Sequence, residues 1–93
     1  MMDIEDWRRR IDEIDMELLH LLNKRAEYSI AIGDIKHEEK LPIYSPERER
    51  WILERVLEQN PGPLTRDGVR RIFERIIDES RKLEKDECAK KEE

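Results

Sequence analysis

The chain has 93 residues, enough for one small domain, and 46% of them are Asp, Glu, Lys or Arg while only three are glycine. That composition predicts an all-helical protein whose charged residues cover solvated faces, and the net charge of −5 argues against a nucleic-acid binder. A single cysteine, Cys88, excludes a disulfide framework, and the absence of a signal-like or transmembrane-length apolar run leads us to expect a cytoplasmic protein without membrane contact.

The first predicted helix runs from about Asp3 to Lys36 or His37 and carries one continuous apolar seam. Its members recur with alternating spacings of three and four residues, and they are Ile4, Trp7, Ile11, Ile14, Leu18, Leu21, Tyr28, Ile32 and Ile35. Arg25 alone interrupts the seam. Such a helix spans roughly 50 Å, whereas a globule of this chain length has a radius of gyration of about 12–13 Å. The seam therefore needs a second copy, and we predict an obligate homodimer with intertwined long helices.

Two shorter helices are predicted after the link LPIYSPERE. Ser45 is the predicted N-cap of the second helix, Pro46 suits its first position, and NPGP (60–63) ends it. Thr65 is the predicted N-cap of the third helix. Both helices have apolar stripes, formed by Ile52, Leu53, Val56 and Leu57 in the second and by Val69, Ile72, Phe73, Ile76, Ile77 and Leu83 in the third. These stripes need burial too, which disfavours an isolated two-stranded coiled coil.

We therefore treat 1–93 as one helical domain. The tail, about 86–93, loses the apolar pattern, and we expect it to fray.

Polar residues interrupt the apolar face of every predicted helix. They are Arg25 and Lys36 in the first, Arg48 and Glu49 in the second, and Ser80 and Glu84 in the third. Each has a purely structural explanation. Arg25 can pack its stem and leave its guanidinium in water, Lys36 can favour the negative end of the helix dipole, and the others can be surface residues near helix ends.

The occurrence of such residues on all three helices favours a binding site over a separate structural role for each. Several buried cations in one small dimer cost many kcal/mol unless they are paired, and an anion with two carboxylates suits arginine, which grips carboxylate bidentately. We see no nucleophilic triad, phosphate loop or metal-ligand cluster in the sequence. If the chain is an enzyme, its chemistry rests on positioning and electrostatics and not on a covalent step, and a unimolecular rearrangement of a small dianion fits that description.

Four segments resemble a known family, the small all-helical, intertwined-dimer class of chorismate mutase. They are RRRIDEIDMELLHLLNKR (8–25), GDIK (33–36), LPIYSPERER (41–50) and FERIIDES (73–80). Together they span nearly the whole chain in the family's order and spacing. The resemblance implies a homodimer, chorismate as the small-molecule substrate and no cofactor.

The resemblance also implies a role for each site residue. Arg8, chosen over Arg9 and Arg10 by its spacing from Arg25, matches the arginine that crosses the dimer interface into the other subunit's site. Arg25 matches the principal carboxylate-binding arginine, and Lys36 the lysine at the ether oxygen of the breaking bond. The remaining matches are Arg48 as a further site arginine, Glu49 as the acceptor of the substrate hydroxyl, and Ser80 near the ring carboxylate.

Two positions depart from the common family pattern. Ser45 stands where an aspartate is often found, so a side-chain contact to the hydroxyl there is in question, and its N-cap role suffices to explain it. Glu84 stands where many members have a glutamine that donates to the ether oxygen. Only a protonated Glu84 can donate.

Two rival functions stay open at this point. Relatives of the same fold eliminate pyruvate from isochorismate with much the same cationic site, and a helical dimerisation or regulatory module needs no site at all. The resemblance favours conversion of chorismate to prephenate, a step towards phenylalanine and tyrosine.

Overall fold

The computed structural model describes residues 1–91, which fold into three helices: α1 (Ile4–Glu39), α2 (Pro46–Gln59) and α3 (Arg66–Lys91). No strand occurs within this range. The predicted all-helical class and the number of helices are confirmed. α3 packs against both α1 and α2, so it is the central element.

The ends of α1 follow from local chemistry. Asp3 is the N-cap: its Oδ1 accepts from the Asp6 N–H at 2.9 Å, while Asp6 Oδ2 accepts from the Asp3 N–H at 3.0 Å, which forms a reciprocal capping box. The helix continues to Glu39, beyond the predicted end at Lys36 or His37. It stops at Lys40, whose positive φ of 57° turns the chain out of the helix.

The start of α2 corrects one sequence prediction. Ser45 occupies the predicted N-cap position, but its side chain makes no capping hydrogen bond. The helix begins instead with Pro46, whose ring presets a helical φ, and with Glu47 and Glu49 near the positive end of the dipole. In contrast, Thr65 caps α3 as predicted, since its Oγ1 accepts from the Gly68 N–H at 3.0 Å.

α3 continues beyond Leu83, the last residue of its predicted apolar stripe. The helix runs to Lys91, while 92–93 lie outside the described residues. The expected fraying of about 86–93 stays a prediction. Two contacts with α1 hold these last turns: Cys88 Sγ lies 3.6 Å from the Gly33 carbonyl oxygen, and Lys91 Nζ lies 2.5 Å from Asp34 Oδ1. The apolar pattern of the sequence does not predict these two contacts, because polar and small residues make them.

The chain buries little of its apolar surface on itself. Val69 and Ile77 of α3 are its buried apolar residues, each 6% exposed. The seam of α1 lies open along the whole helix, and its members are between 50% and 67% exposed: Ile4, Trp7, Ile11, Ile14, Leu18, Leu21, Tyr28, Ile32 and Ile35. The molecule is 58 Å long with a radius of gyration of 16.7 Å, above the roughly 12 Å of a compact chain of this size.

Within residues 1–91, no helix has an apolar stretch long enough to cross a membrane.

Candidate active site

A pocket of about 280 Å³, lined by several charged side chains, lies where α1, α2, α3 and the link between α1 and α2 meet. All of the predicted site residues except Arg8 line it, namely Arg25, Lys36, Ser45, Arg48, Glu49, Ser80 and Glu84. The pocket also contains residues that the sequence did not single out as site residues, above all Arg81 and Tyr28. One chain thus gathers side chains from every helix into one cavity.

Small residues on α1 let α3 come close enough to form the pocket. Ser29 and Gly33, which separate Arg25 from Lys36 along the helix, are the two buried residues of α1. A Cβ added to Gly33 would lie 3.3 Å from both Cβ and Cγ of Glu84, which is tighter than an ordinary contact. Glycine at this position therefore permits the approach that brings Glu84 to Lys36.

Arg25 reaches across to α3. Its Nη1 donates a hydrogen bond to Ser80 Oγ, and the Ser80 hydroxyl in turn donates to the Ile76 carbonyl at 2.9 Å. Burial lowers the pKa of Arg25, the nearby Arg48 lowers it further, and Glu84 opposes them. The folded chain thus holds this cation in an unfavourable environment, as expected of a group that awaits an anionic ligand.

Lys36 is held by two oxygens. Its Nζ donates to the Ile43 carbonyl in the link at 2.9 Å and to Glu84 Oε2 at 3.4 Å. Both charged side chains are largely buried, with 20% of Lys36 and 11% of Glu84 exposed. Lys36 is therefore held inside the pocket by two specific contacts, which its place in the last turn of α1, near the negative end of the helix dipole, does not by itself explain.

Glu49 has a partner that the sequence analysis missed. Arg81 of α3 grips its carboxylate with two hydrogen bonds, each 2.9 Å long, from Nε and Nη2. The hydrogen bond to Glu49 raises the pKa of Arg81 above its usual range. A signal for Arg81 was present, since it lies one helical turn beyond the apolar residue Ile77, the same relation that selected Ser80 after Ile76.

Arg48 lies at the open side of the pocket. It is exposed, and its guanidinium carbon lies 4.6 Å from the centroid of the Trp51 ring one turn further along α2. A cation over an aromatic face at this distance is attracted to the ring, which restricts where the side chain points. Ser45 also lines the pocket, with its hydroxyl unused by the helix cap.

Arg8 is not part of the pocket formed by its own chain. It is exposed near the start of α1 and pairs with Glu5 at 2.7 Å. At 1.5 Å per residue, it lies roughly 25 Å along the helix from Arg25. Only a second chain can bring an Arg8 side chain to this site.

The charges in the pocket define what it can bind. Four cations, Arg25, Lys36, Arg48 and Arg81, face two carboxylates, Glu49 and Glu84. The lining thus carries a net positive charge in a chain that is negative as a whole. Such a cavity suits a small molecule with two carboxylates and at least one group that donates to Glu49.

Comparison with known proteins decides the family. The family model described as chorismate mutase type II matches residues 7–85, which is most of the chain. The chain belongs to the chorismate mutase type II family. The resemblance found in the sequence motifs is thereby confirmed.

Relatives and solved structures of chorismate mutases agree with this assignment. The chorismate mutase of Methanocaldococcus jannaschii is 30% identical over 90 residues, which cover 88% of this chain and 84% of that protein. A chorismate mutase structure from Thermus thermophilus (form II) superposes with a TM-score of 0.86 at 34% identity, covering 88% of this chain and 93% of that one. The fold of the chorismate mutase family and the fold of this chain are the same.

Other relatives are much longer. The bifunctional chorismate mutase/prephenate dehydratase of Aquifex aeolicus is 40% identical over 89 residues, which cover 91% of this chain but 25% of that protein. The chain spans about a quarter or less of the length of the first curated relatives that it matches.

Proposed function

We propose that the chain catalyses the intramolecular rearrangement of chorismate to prephenate. The observation that carries this proposal is the partly buried pair of cations on one face of α1, Arg25 and Lys36, which line a pocket with Arg48 and Ser80. An apolar seam interrupted by a desolvated arginine has a cost to folding that a dianionic ligand offsets. Membership of the chorismate mutase type II family supports the same conclusion.

The proposed binding contacts divide between the two carboxylates and the hydroxyl of chorismate. Arg25 and Ser80, already hydrogen-bonded to each other, receive one carboxylate, and Arg48 with Arg8 of the partner subunit receives the other. Glu49 accepts a hydrogen bond from the hydroxyl. Since Ser45 lines the same pocket and its hydroxyl is free of the helix cap, it is available to the ligand as well.

The proposed mechanism is electrostatic and needs neither a covalent step nor a cofactor. Fixing both carboxylates selects the compact conformer in which the enolpyruvyl side chain lies over the ring, close to the geometry of the [3,3] rearrangement. As the ether C–O bond breaks and the new C–C bond forms, negative charge grows on the ether oxygen. Lys36 donates to that oxygen, and Glu84 does so when protonated. A preorganised donor of this kind contributes about 3–4 kcal/mol.

We propose further that the active form is an intertwined homodimer. The open seam of α1 supports this proposal. Fully burying an Ile or Leu side chain contributes about 1.5–3 kcal/mol, so covering a seam residue that is about half exposed contributes roughly half of that. An apolar groove of about 750 Å³ between α1 and α3, lined in part by Leu18, Leu22 and Ile76, gives the partner a second surface to cover. A dimer also accounts for Arg8, which has no route to the pocket of its own chain.

The two rival functions are separated by offering chorismate and isochorismate to the purified protein separately. A mutase forms prephenate from chorismate, whereas a lyase forms salicylate and pyruvate from isochorismate. A helical module without a site forms neither product, and chorismate does not raise its melting temperature. Prephenate formation from chorismate is the expected result, and we propose that it serves the synthesis of phenylalanine and tyrosine.

A further inference from the structure

Arg81 joins α2 to α3 by charge. Its Nε and Nη2 each lie 2.9 Å from an oxygen of Glu49, and Nη2 also lies 2.9 Å from Asp78 Oδ1 of its own helix. This is the one ion pair between α2 and α3 within residues 1–91. The two-point contact fixes both the place and the plane of the Glu49 carboxylate.

The same guanidinium also reaches the link between α1 and α2. Its central carbon lies 5.2 Å from the centroid of the Tyr44 ring, within the range of a cation–π contact. Tyr44 lies next to Ile43, whose carbonyl oxygen accepts the hydrogen bond from Lys36. One side chain of α3 thus contacts both segments that close the pocket opposite α1.

The contact between Arg81 and Glu49 is important because of the way the helices pack. Within the described residues α2 packs on α3, whereas no Cα atom of α2 lies within 8 Å of a Cα atom of α1. The orientation of α2 relative to the cations of α1 therefore depends on its contacts with α3. Both charged pocket residues of α2, Arg48 and Glu49, lie in its first turn, which is where Arg81 holds it.

We propose that Arg81 is a positioning residue of this site, which holds the Glu49 carboxylate and the first turn of α2 in place without contacting the substrate. This inference rests on the proposed function and deepens it. Arg81 leaves Glu49 able to act, because each carboxylate oxygen has a second lone pair for the substrate hydroxyl. The role requires the planar fork of arginine, which the point charge of lysine does not reproduce.

The first test is a double-mutant cycle with kcat/KM for chorismate as the readout. We expect Arg81→Met to lower kcat/KM about 10-fold, mainly through KM, because the hydroxyl contact is present in substrate and transition state alike. If Arg81 acts through Glu49, the double variant Arg81→Met/Glu49→Gln should be no worse than Glu49→Gln alone. Arg81→Lys should recover only part of the loss.

The matched control is Arg70→Met. It removes an arginine–carboxylate pair, with Asp67, near the start of the same helix and outside the pocket. Its kcat/KM should equal that of the unsubstituted protein. If the fold losses in kcat/KM of Arg81→Met and Glu49→Gln multiply in the double variant, Arg81 binds the substrate itself. That result would overturn the inference. Full activity of Arg81→Lys would show that the planar guanidinium of arginine is not required.

A second test does not depend on catalysis. Amide hydrogen exchange of the ligand-free protein should become faster over 43–49 in Arg81→Met and stay unchanged there in Arg70→Met. Unchanged exchange in both variants would overturn the positioning role. Should Arg81→Met not fold, Arg81→Lys serves in both tests. Absence of prephenate from the unsubstituted protein would refute the proposed function, while the exchange result would still decide whether Arg81 positions α2.

Discussion

Lys36 Nζ lies 3.4 Å from Glu84 Oε2 in the pocket, and little of either side chain is exposed. The pair joins α1 to α3 three turns along α1 from Arg25. In this arrangement the carboxylate of Glu84 accepts from the lysine that we expect to serve the ether oxygen of the substrate. The substrate oxygen and an ionised Glu84 therefore compete for Lys36, whereas a protonated Glu84 becomes a second donor.

The first prediction concerns the side chain at position 84. A carboxylate there accepts from Lys36 and cannot donate to the ether oxygen of the substrate, whereas an amide offers an N–H donor. Glu84→Gln should therefore raise kcat/KM for chorismate. The measurement is kcat/KM of the parent and of Glu84→Gln under the same conditions. A glutamine variant with the same kcat/KM as the parent, or a lower one, would show that a donor at position 84 does not assist the reaction.

The second prediction concerns Lys36. Lys36→Met should lower kcat by roughly 100- to 1,000-fold, the loss typical of removing one preorganised donor at a developing charge. Lys24→Met, an exposed position on the same helix that does not line the pocket, is the control and should keep full activity. Steady-state kinetics of the two variants decide the matter. A Lys36→Met enzyme within a few-fold of the parent would remove Lys36 from the mechanism.

The helices could be predicted from the sequence because their signals are local. The seam of α1, the cap at Thr65 and the Pro and Gly residues after α2 each act over a few neighbouring residues. α3, in contrast, reaches Lys91, which its sequence pattern did not predict. Its last turns are held by Asp34 and Gly33, which are more than fifty residues away in the chain, and no periodic apolar pattern records those contacts.

The candidate site was predicted in part for similar reasons. Polar residues that continue apolar rows identified the positions in all three helices that meet in the pocket. Arg81 obeys the same rule but was missed, since an arginine on a highly charged helix resembles a solvated residue until its partner Glu49 is located. Ser45 is the N-cap residue of α2 as predicted, but its side chain makes no capping hydrogen bond, and Pro46 with the acidic first turn begins the helix.

The third prediction tests the shared site of the proposed dimer. Arg8→Ala and Arg25→Ala subunits should each be inactive alone. After subunit exchange, a heterodimer has one pocket with both defects and one with none, so a 1:1 mixture should recover about a quarter of the parent activity. Each variant taken through the same exchange alone is the control. No recovery despite demonstrated exchange would contradict a site built from two chains.

The fourth prediction concerns the end of α3. The hydrogen bond to Asp34 raises the pKa of Lys91 above its ordinary value of 10.5. A raised pKa means that the pair stabilises the fold below that value and that its contribution is lost as pH rises through the titration of Lys91. Lys91→Met should therefore lower the melting temperature slightly at neutral pH.

The control for this prediction is Lys90→Met, whose partner Glu87 lies in the same helix. The difference in melting temperature between the two variants should disappear at strongly alkaline pH. A difference that persists there would assign the effect of Lys91 to packing and not to its charge.

The central claim is that Arg25 interrupts the seam of α1 for the sake of a ligand. Arg25→Leu restores the apolar seam and removes a desolvated cation, while Ser80 keeps its hydrogen bond to the Ile76 carbonyl. The most direct measurement is the rate of prephenate formation from chorismate by Arg25→Leu and by the parent, with the melting temperature of each. The account predicts a variant that melts no lower than the parent and has lost nearly all activity. A variant that remains active, or one that is inactive because it no longer folds, would contradict it.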